Sequence, residues 1–256
     1  MGHIRAAAGF CGACIAFYIG AGFATMQEIM QYEVSYGSRF TVVLAAAMLI
    51  YLYTNLSFAT NGSRLKLQRG GEIYRHYCGK TLGASYGGFV ILWFASFLAE
   101  IGGKNRLREV NAGILLSLVF IAGASAMCCA ALISRVELTA YADIPALVLA
   151  DAIHPLASQV FALIIFCGTY TASVPLLWTG VGRLAKEGTR RCRLLTVLGG
   201  VTACASACFL PYKGLVNVLY GLNGYLGFLL VAFMVVKDLD CLFRGAKERA
   251  AGGGGI

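Results

Sequence analysis

Two stretches of this chain carry residues whose types and spacing suit the binding of a small solute or ion. The first, AFYIGAGFATMQEIMQYEVSYG over 16–37, sets Gly20, Ala21 and Gly22 inside an apolar helical pattern and follows them with Phe23, Thr25, Gln27 and Glu28. Glycine lacks a Cβ and tolerates backbone angles that break a helix. A helix opened at such a point turns free carbonyls and half-helix ends toward an ion or an anionic group, and it survives in an apolar setting only where it lines a cavity or is buried in protein. Glu28 lies about two turns beyond the glycines. A carboxylate at that depth faces a bundle interior or water, so Gln27 and Glu28 read as lining an aqueous vestibule or binding a coupling proton. A plainer reading of the same residues is close helix packing at the glycines, with Glu28 at a water interface; Glu33 reads as interfacial.

The second stretch holds Thr169, Thr171 and Ser173, with Thr169 and Ser173 on one helical face. Such hydroxyls either offer oxygen to a hard cation or bond back to their own helix carbonyls. Other chemistry is poorly provided for. Cys11 and Cys14 have redox spacing but lack the strand-based context of that motif, and most of the ten cysteines sit in apolar runs, where a free thiol packs as a small hydrophobe. His3, His76 and His154 are scattered and form no metal-ligand spacing with cysteine. Glu28 and Glu100 have no histidine or aspartate beside them in sequence. The expectation is therefore a protein that is not an enzyme and carries no cofactor or structural metal.

The elements that must position these residues follow from composition. Of 256 residues, 59% are hydrophobic and 13% charged, and the mean hydropathy is +0.73. Soluble domains carry about 25% charged residues, so this chain reads as an all-α integral membrane protein whose partner is the lipid bilayer. A net charge of +9 does not mark a nucleic-acid binder, because no basic face with stacking aromatics can be drawn. Apolar runs long enough to cross a bilayer lie at about 6–32, 40–60, 84–103, 112–133, 157–182, 194–210 and 214–236, in a single domain over 1–249 followed by a flexible glycine-rich tail, 250–256. Gly9 with Ala13, and Gly221, Gly224 and Gly227, read as close-packing positions. A short helix lying outside the membrane is expected near Pro145 to Ile153.

The basic residues conflict with seven alternating spans. They cluster at 61–85, 104–108, 183–193 and 237–249, and positive clusters stay cytoplasmic. All four share one side, with Arg5 and both termini in the cytoplasm, only if the chain returns between Gly83 and Lys104. Arg39, Arg135 and Lys213 are then left outside. Run 84–103 is therefore re-entrant or interfacial, which Glu100 and the glycines at 83, 87, 88, 102 and 103 would permit, or an odd number of spans is missing after it.

The segment IGAGFATMQEIMQ resembles the first helix of the YkvI-type bacterial membrane proteins, with their pattern G-A-G-F-A-[ST]-G-Q-E; Met26 stands where that pattern has glycine. GTYTASVPLLWTGVGRL resembles the eighth helix of that family and KGLVNVLYGLNGYLGFLL the tenth, while ADIPALVLA resembles the external segment before helix eight. The family is similar to the amino acid–polyamine–organocation superfamily. The resemblance implies a multi-pass helical bundle of the bacterial cytoplasmic membrane, a shortened LeuT-like fold with a glycine-broken first helix and no counterparts of helices four to six. It implies a substrate or ion site at Gly20, Ala21, Gly22, Phe23, Thr25, Gln27 and Glu28, and a sodium site shared by Gly20, Thr169, Thr171 and Ser173. Sodium or a proton would be the coupling ion. The function expected is secondary transport of a small amino-acid-like or organic-cation solute. The alternative is a shortened chain that no longer transports, serving as a partner subunit or arising by internal deletion.

Overall fold

A computed structural model describes residues 2–89, 93–186, 188–209 and 212–252, and every regular element among them is helical. In chain order these are α1 (Gly2–Tyr18), α2 (Ala21–Ala24), α3 (Gln27–Tyr32), a 3-10 segment (Val34–Arg39), α4 (Phe40–Arg64), α5 (Glu72–Phe89), α6 (Trp93–Lys104), α7 (Leu107–Ser134), α8 (Val136–Thr139), α9 (Pro145–Ile153), α10 (Pro155–Leu184), α11 (Arg190–Phe209) and α12 (Tyr212–Gly252). Two stretches, Val34–Arg64 and Leu107–Ser134, are long and apolar enough to cross a bilayer, and Pro155–Thr171 is a shorter apolar helix. The short helix expected near Pro145 is α9, begun by a proline at its first turn, where the missing N–H costs nothing. Of the glycine-rich tail, residues up to Gly252 continue α12 and 253–256 lie outside the described residues.

The chain divides into two compact units. The first comprises Met1–Ile15, Ala46–Phe120 and Leu219–Ile256. Its core gathers Phe58, Ile73, Leu98, Val110, Ile114 and Met234. Here α4 and α6 meet backbone to backbone. A Cβ at Gly62 would strike the Ala99 backbone, and one at Gly102 would strike the Ala59 backbone; Ala59 and Ala99 are fully buried. Small residues on both helices permit this approach, which gains dispersion energy that a larger side chain would forfeit. Gly113 of α7 likewise lies 2.6 Å, measured from an added Cβ, from Phe10 Cβ of α1. The glycines singled out from sequence behave otherwise. An added Cβ at Gly9, Gly221, Gly224 or Gly227 would meet nothing within 4 Å, and Gly224 and Gly227 line a largely apolar cavity of about 280 Å³ beside Asn55 and Phe58.

Run 84–103 falls on the end of α5 and on α6, with its centre at 90–92 outside the described residues. Gly79, at φ 76° and ψ −177°, breaks α5 and turns its second part back, so that Gly83 comes against Tyr74 and Arg75. In α6, Glu100 pairs with Lys104 one turn on at 2.5 Å, both partly exposed, and Gly102 and Gly103 face the backbones of Ala59 and Leu67. These residues thus serve an ion pair and helix packing.

The second unit comprises Ala16–Ala45 and Ile121–Val218. In it α10 packs on α2, α9 and α11, and α3 packs on α9. His154 caps α10 by accepting from the Leu156 N–H at 3.1 Å. Besides their apolar cores, both units bury some polar groups and expose large apolar ones: Asn55, Ser117 and Thr139 are 2%, 0% and 0% exposed, whereas Met127, Phe166 and Phe228 are 74%, 69% and 69% exposed.

Candidate functional site

The candidate site is the doubly interrupted segment 16–33 of the second unit. Helix α1 stops at Tyr18, whose carbonyl takes the Gly20 N–H at 3.0 Å. The Gly20 carbonyl then accepts from Ala24 N at 3.0 Å and opens the single turn of α2. A second interruption follows at Met26, held in the left-handed region at φ 59°, ψ 9°. For a residue with a Cβ that conformation costs roughly 1–2 kcal/mol. It is the position at which the resembled pattern has glycine. The Met26 carbonyl accepts from Met30 N and starts α3.

The segment is tied from within and from outside. Thr25 Oγ1 donates to the Gly22 carbonyl at 3.0 Å, and the Thr25 carbonyl accepts from Ala146 N, in the first turn of α9, at 3.2 Å. Phe23 is buried and meets Tyr18 edge to face at 6.0 Å. Around it stand Ile29, Val34, Cys129 and Leu132. The Glu28 side chain folds back over Gly22: a Cβ there would strike the Glu28 carboxylate and lie 2.6 Å from its Cγ. Gln27 and Glu28 are half-buried. Glu33, read from sequence as interfacial, is 9% exposed and accepts from the fully buried Cys129 Sγ at 2.9 Å.

The structure therefore gathers Gly20, Ala21, Gly22, Phe23, Thr25, Gln27 and Glu28 in one short segment, with α2 packed on α10. The α10 hydroxyls point elsewhere. Thr169 donates to Ile165 O at 2.9 Å, Thr171 to Gly168 O at 2.9 Å and Ser173 to Thr169 O at 2.7 Å, and all three residues are exposed. Each hydroxyl hydrogen is used on its own helix, and no recorded contact among the described residues joins them to Gly20. Among the described residues no group of three or more His, Cys, Asp and Glu converges as metal ligands.

Sequence reasoning missed the second interruption, the burial of Glu33 and the tether from α9. Only the first left a signal, the departure of Met26 from the resembled glycine pattern. No family model, no curated protein and no solved structure matches this chain. Chemically, the segment combines a carboxylate folded over a bare backbone position with a second, buried carboxylate, Glu33, five residues on, just past the end of α3. Such a pair suits a positively charged group.

Proposed function

We propose that the chain is a multi-pass protein of the cell membrane and a secondary transporter of a small organic cation or amino-acid-like solute, bound through its amino group at the interrupted segment. The observation that carries this reading is Glu28 folded over Gly22, with Glu33 buried nearby. A half-buried carboxylate beside an open backbone position recognises an ammonium group by a charge-assisted hydrogen bond. The membrane setting is supported by two stretches long and apolar enough to span and by the outward apolar side chains of α7, α10 and α12. Water penalises such a surface, whereas lipid accepts it. In this reading the basic clusters at 61–85, 104–108, 183–193 and 237–249 face the cytoplasm.

The test is binding and uptake with ethanolamine, putrescine and arginine as probes, in potassium salts. The expected result is thermal stabilisation of the detergent-solubilised chain by at least one amine, since a ligand of the folded state raises its stability. Uptake of that amine into proteoliposomes is expected as well, with both effects lost in Glu28→Gln. Binding without uptake would favour the shortened, non-transporting chain. Neither binding nor uptake, or full binding by Glu28→Gln, would overturn the assignment.

A further inference from the structure

The first unit contains a cavity that the proposed solute site does not use. It measures about 280 Å³ and is lined by α4 and α12. Helix α4 supplies Ile50, Thr54 and Phe58, spaced four apart and therefore on one face, and Asn55 next to them. Helix α12 supplies Gly224, Gly227, Phe228 and Met234. The floor is closed, since Asn55, Phe58 and Met234 are all buried. Ile50 and Phe228 are exposed and mark the mouth.

Two features of this cavity are not explained by helix packing. The first is Asn55, which is 2% exposed. Its Nδ2 is buried and has no hydrogen-bond partner among the described residues. A buried amide left unpaired carries the full cost of its lost hydration, and native interiors seldom leave such a donor idle. A trapped water does not answer the need, because it requires about two to four polar partners. The one hydroxyl among the lining residues, that of Thr54, already aims its hydrogen at the Ile50 and Tyr51 carbonyls, 2.8 and 3.1 Å away. The second feature is the pair of glycines. A Cβ at Gly224 or Gly227 would meet nothing within 4 Å, so neither serves a close helix contact. Glycine weakens a helix relative to alanine; here its effect is to keep the space beside Asn55 open.

We propose that this cavity binds one small, neutral, apolar molecule through a carbonyl oxygen that accepts from Asn55 Nδ2. The size of the ligand follows from the volume. A protein cavity of about 150 Å³ holds benzene, so one of this volume holds roughly ten to twelve non-hydrogen atoms in proportion. The ligand is neutral because no charged side chain lines the cavity, and an unpaired ion in such a setting is heavily penalised. The ester carbonyl of a membrane lipid does not reach the donor. Asn55 stands nine residues before Arg64, the end of α4, hence about 13 Å from it along the helix. With Arg64 at the cytoplasmic edge, that depth approaches the middle of a hydrocarbon core about 30 Å thick, whereas lipid esters stay at the interface. The donor therefore serves a molecule dissolved in the core, which enters past Ile50 and Phe228. The site is separate in sequence from Gly20–Glu28, and it uses the membrane reading only for its depth and route of entry.

The experiment is thermal unfolding of the detergent-solubilised full chain titrated with 1-tetralone, a ketone of this size, and with tetralin, the same two rings without the carbonyl. The wild-type midpoint should rise with 1-tetralone along a saturating curve, as a ligand of the folded state requires. Asn55→Leu keeps the apolar lining and removes the donor. It should raise the half-saturating concentration of 1-tetralone at least about fivefold and leave that of tetralin unchanged. Gly227→Leu fills the open space with a better helix former; it should fold and lose the response to both probes, and it remains informative if Asn55→Leu does not fold. Glu28→Gln should keep the full response, which separates this site from the solute site. A lipid tail or a second copy of the chain seated in the cavity would make the wild type indifferent to 1-tetralone, and that result overturns the proposal. An unchanged half-saturation in Asn55→Leu, or a full response in Gly227→Leu, does so equally.

Discussion

Replacing Gly22 by alanine separates recognition from folding. The added Cβ falls on the Glu28 carboxylate and 2.6 Å from its Cγ, about 1 Å inside the distance at which two carbons cease to repel. The obstacle is a flexible side chain, so Glu28 rotates away, at about 1 kcal/mol if it must take a poorer rotamer. Alanine in α2 returns about 1 kcal/mol of helix propensity. The two nearly cancel, and the unfolding midpoint should stay within about 4 °C of wild type, given roughly 2–4 °C per kcal/mol at this chain length. Solute recognition should change far more. Displacing the carboxylate removes a charge-assisted hydrogen bond worth about 1.5–3 kcal/mol, which is roughly 10- to 150-fold in affinity. The assay pairs thermal unfolding in detergent with amine binding on the same preparation. Unchanged affinity beside an unchanged midpoint would refute the argument, because the carboxylate would then have left the site without consequence.

Three further outcomes follow from the same geometry. Gly102→Ala, whose Cβ meets the Ala59 backbone, should lose about 1–3 kcal/mol to overpacking, whereas Gly123→Ala, with open space around it, should gain up to about 1 kcal/mol; equal midpoints for the two would dismiss the backbone contact of α4 with α6. At Met26 the usual helix order should invert, with Met26→Gly more stable than Met26→Ala by about 1 kcal/mol because of the left-handed backbone, and denaturant unfolding of the pair reads this directly. Burial, chiefly, pushes the Tyr77 hydroxyl up to about 12 from an ordinary 10.0. A raised pKa means stability that is complete below pH 10 and declines as pH climbs toward 12, because the unfolded chain releases its proton first. Melting against pH should show that decline in wild type, and Tyr77→Phe should make it shallower.

Some of this protein is local and therefore readable along the chain. The apolar runs and scarce charges demand helices, because only a helix satisfies its own backbone within one segment. Pro145 starts α9 because a proline's missing N–H is harmless in a first turn. Gly20 lies in the break that ends α1, where a missing Cβ makes the loss of helix cheap. Hydroxyls spaced as Thr169 and Ser173 could have faced an ion or their own helix; the spacing allowed both, and the fold turned them to their own helix.

What tertiary structure decided is which of several equivalent residues acquires a partner. Gly62 and Gly102 carry a close helix contact while Gly9 and Gly221 face open space, although a glycine looks the same in sequence at all four places. Met26 takes a left-handed conformation against its own preference because helices on either side of it are anchored, one of them through the Thr25 bond to Ala146. Glu33 is buried because Cys129, 96 residues away, meets it. Tyr53 finds Asp238 across 185 residues. A side chain records its own chemistry and its neighbours one helical turn away; the partner that turns that chemistry into a site is chosen only when distant helices pack.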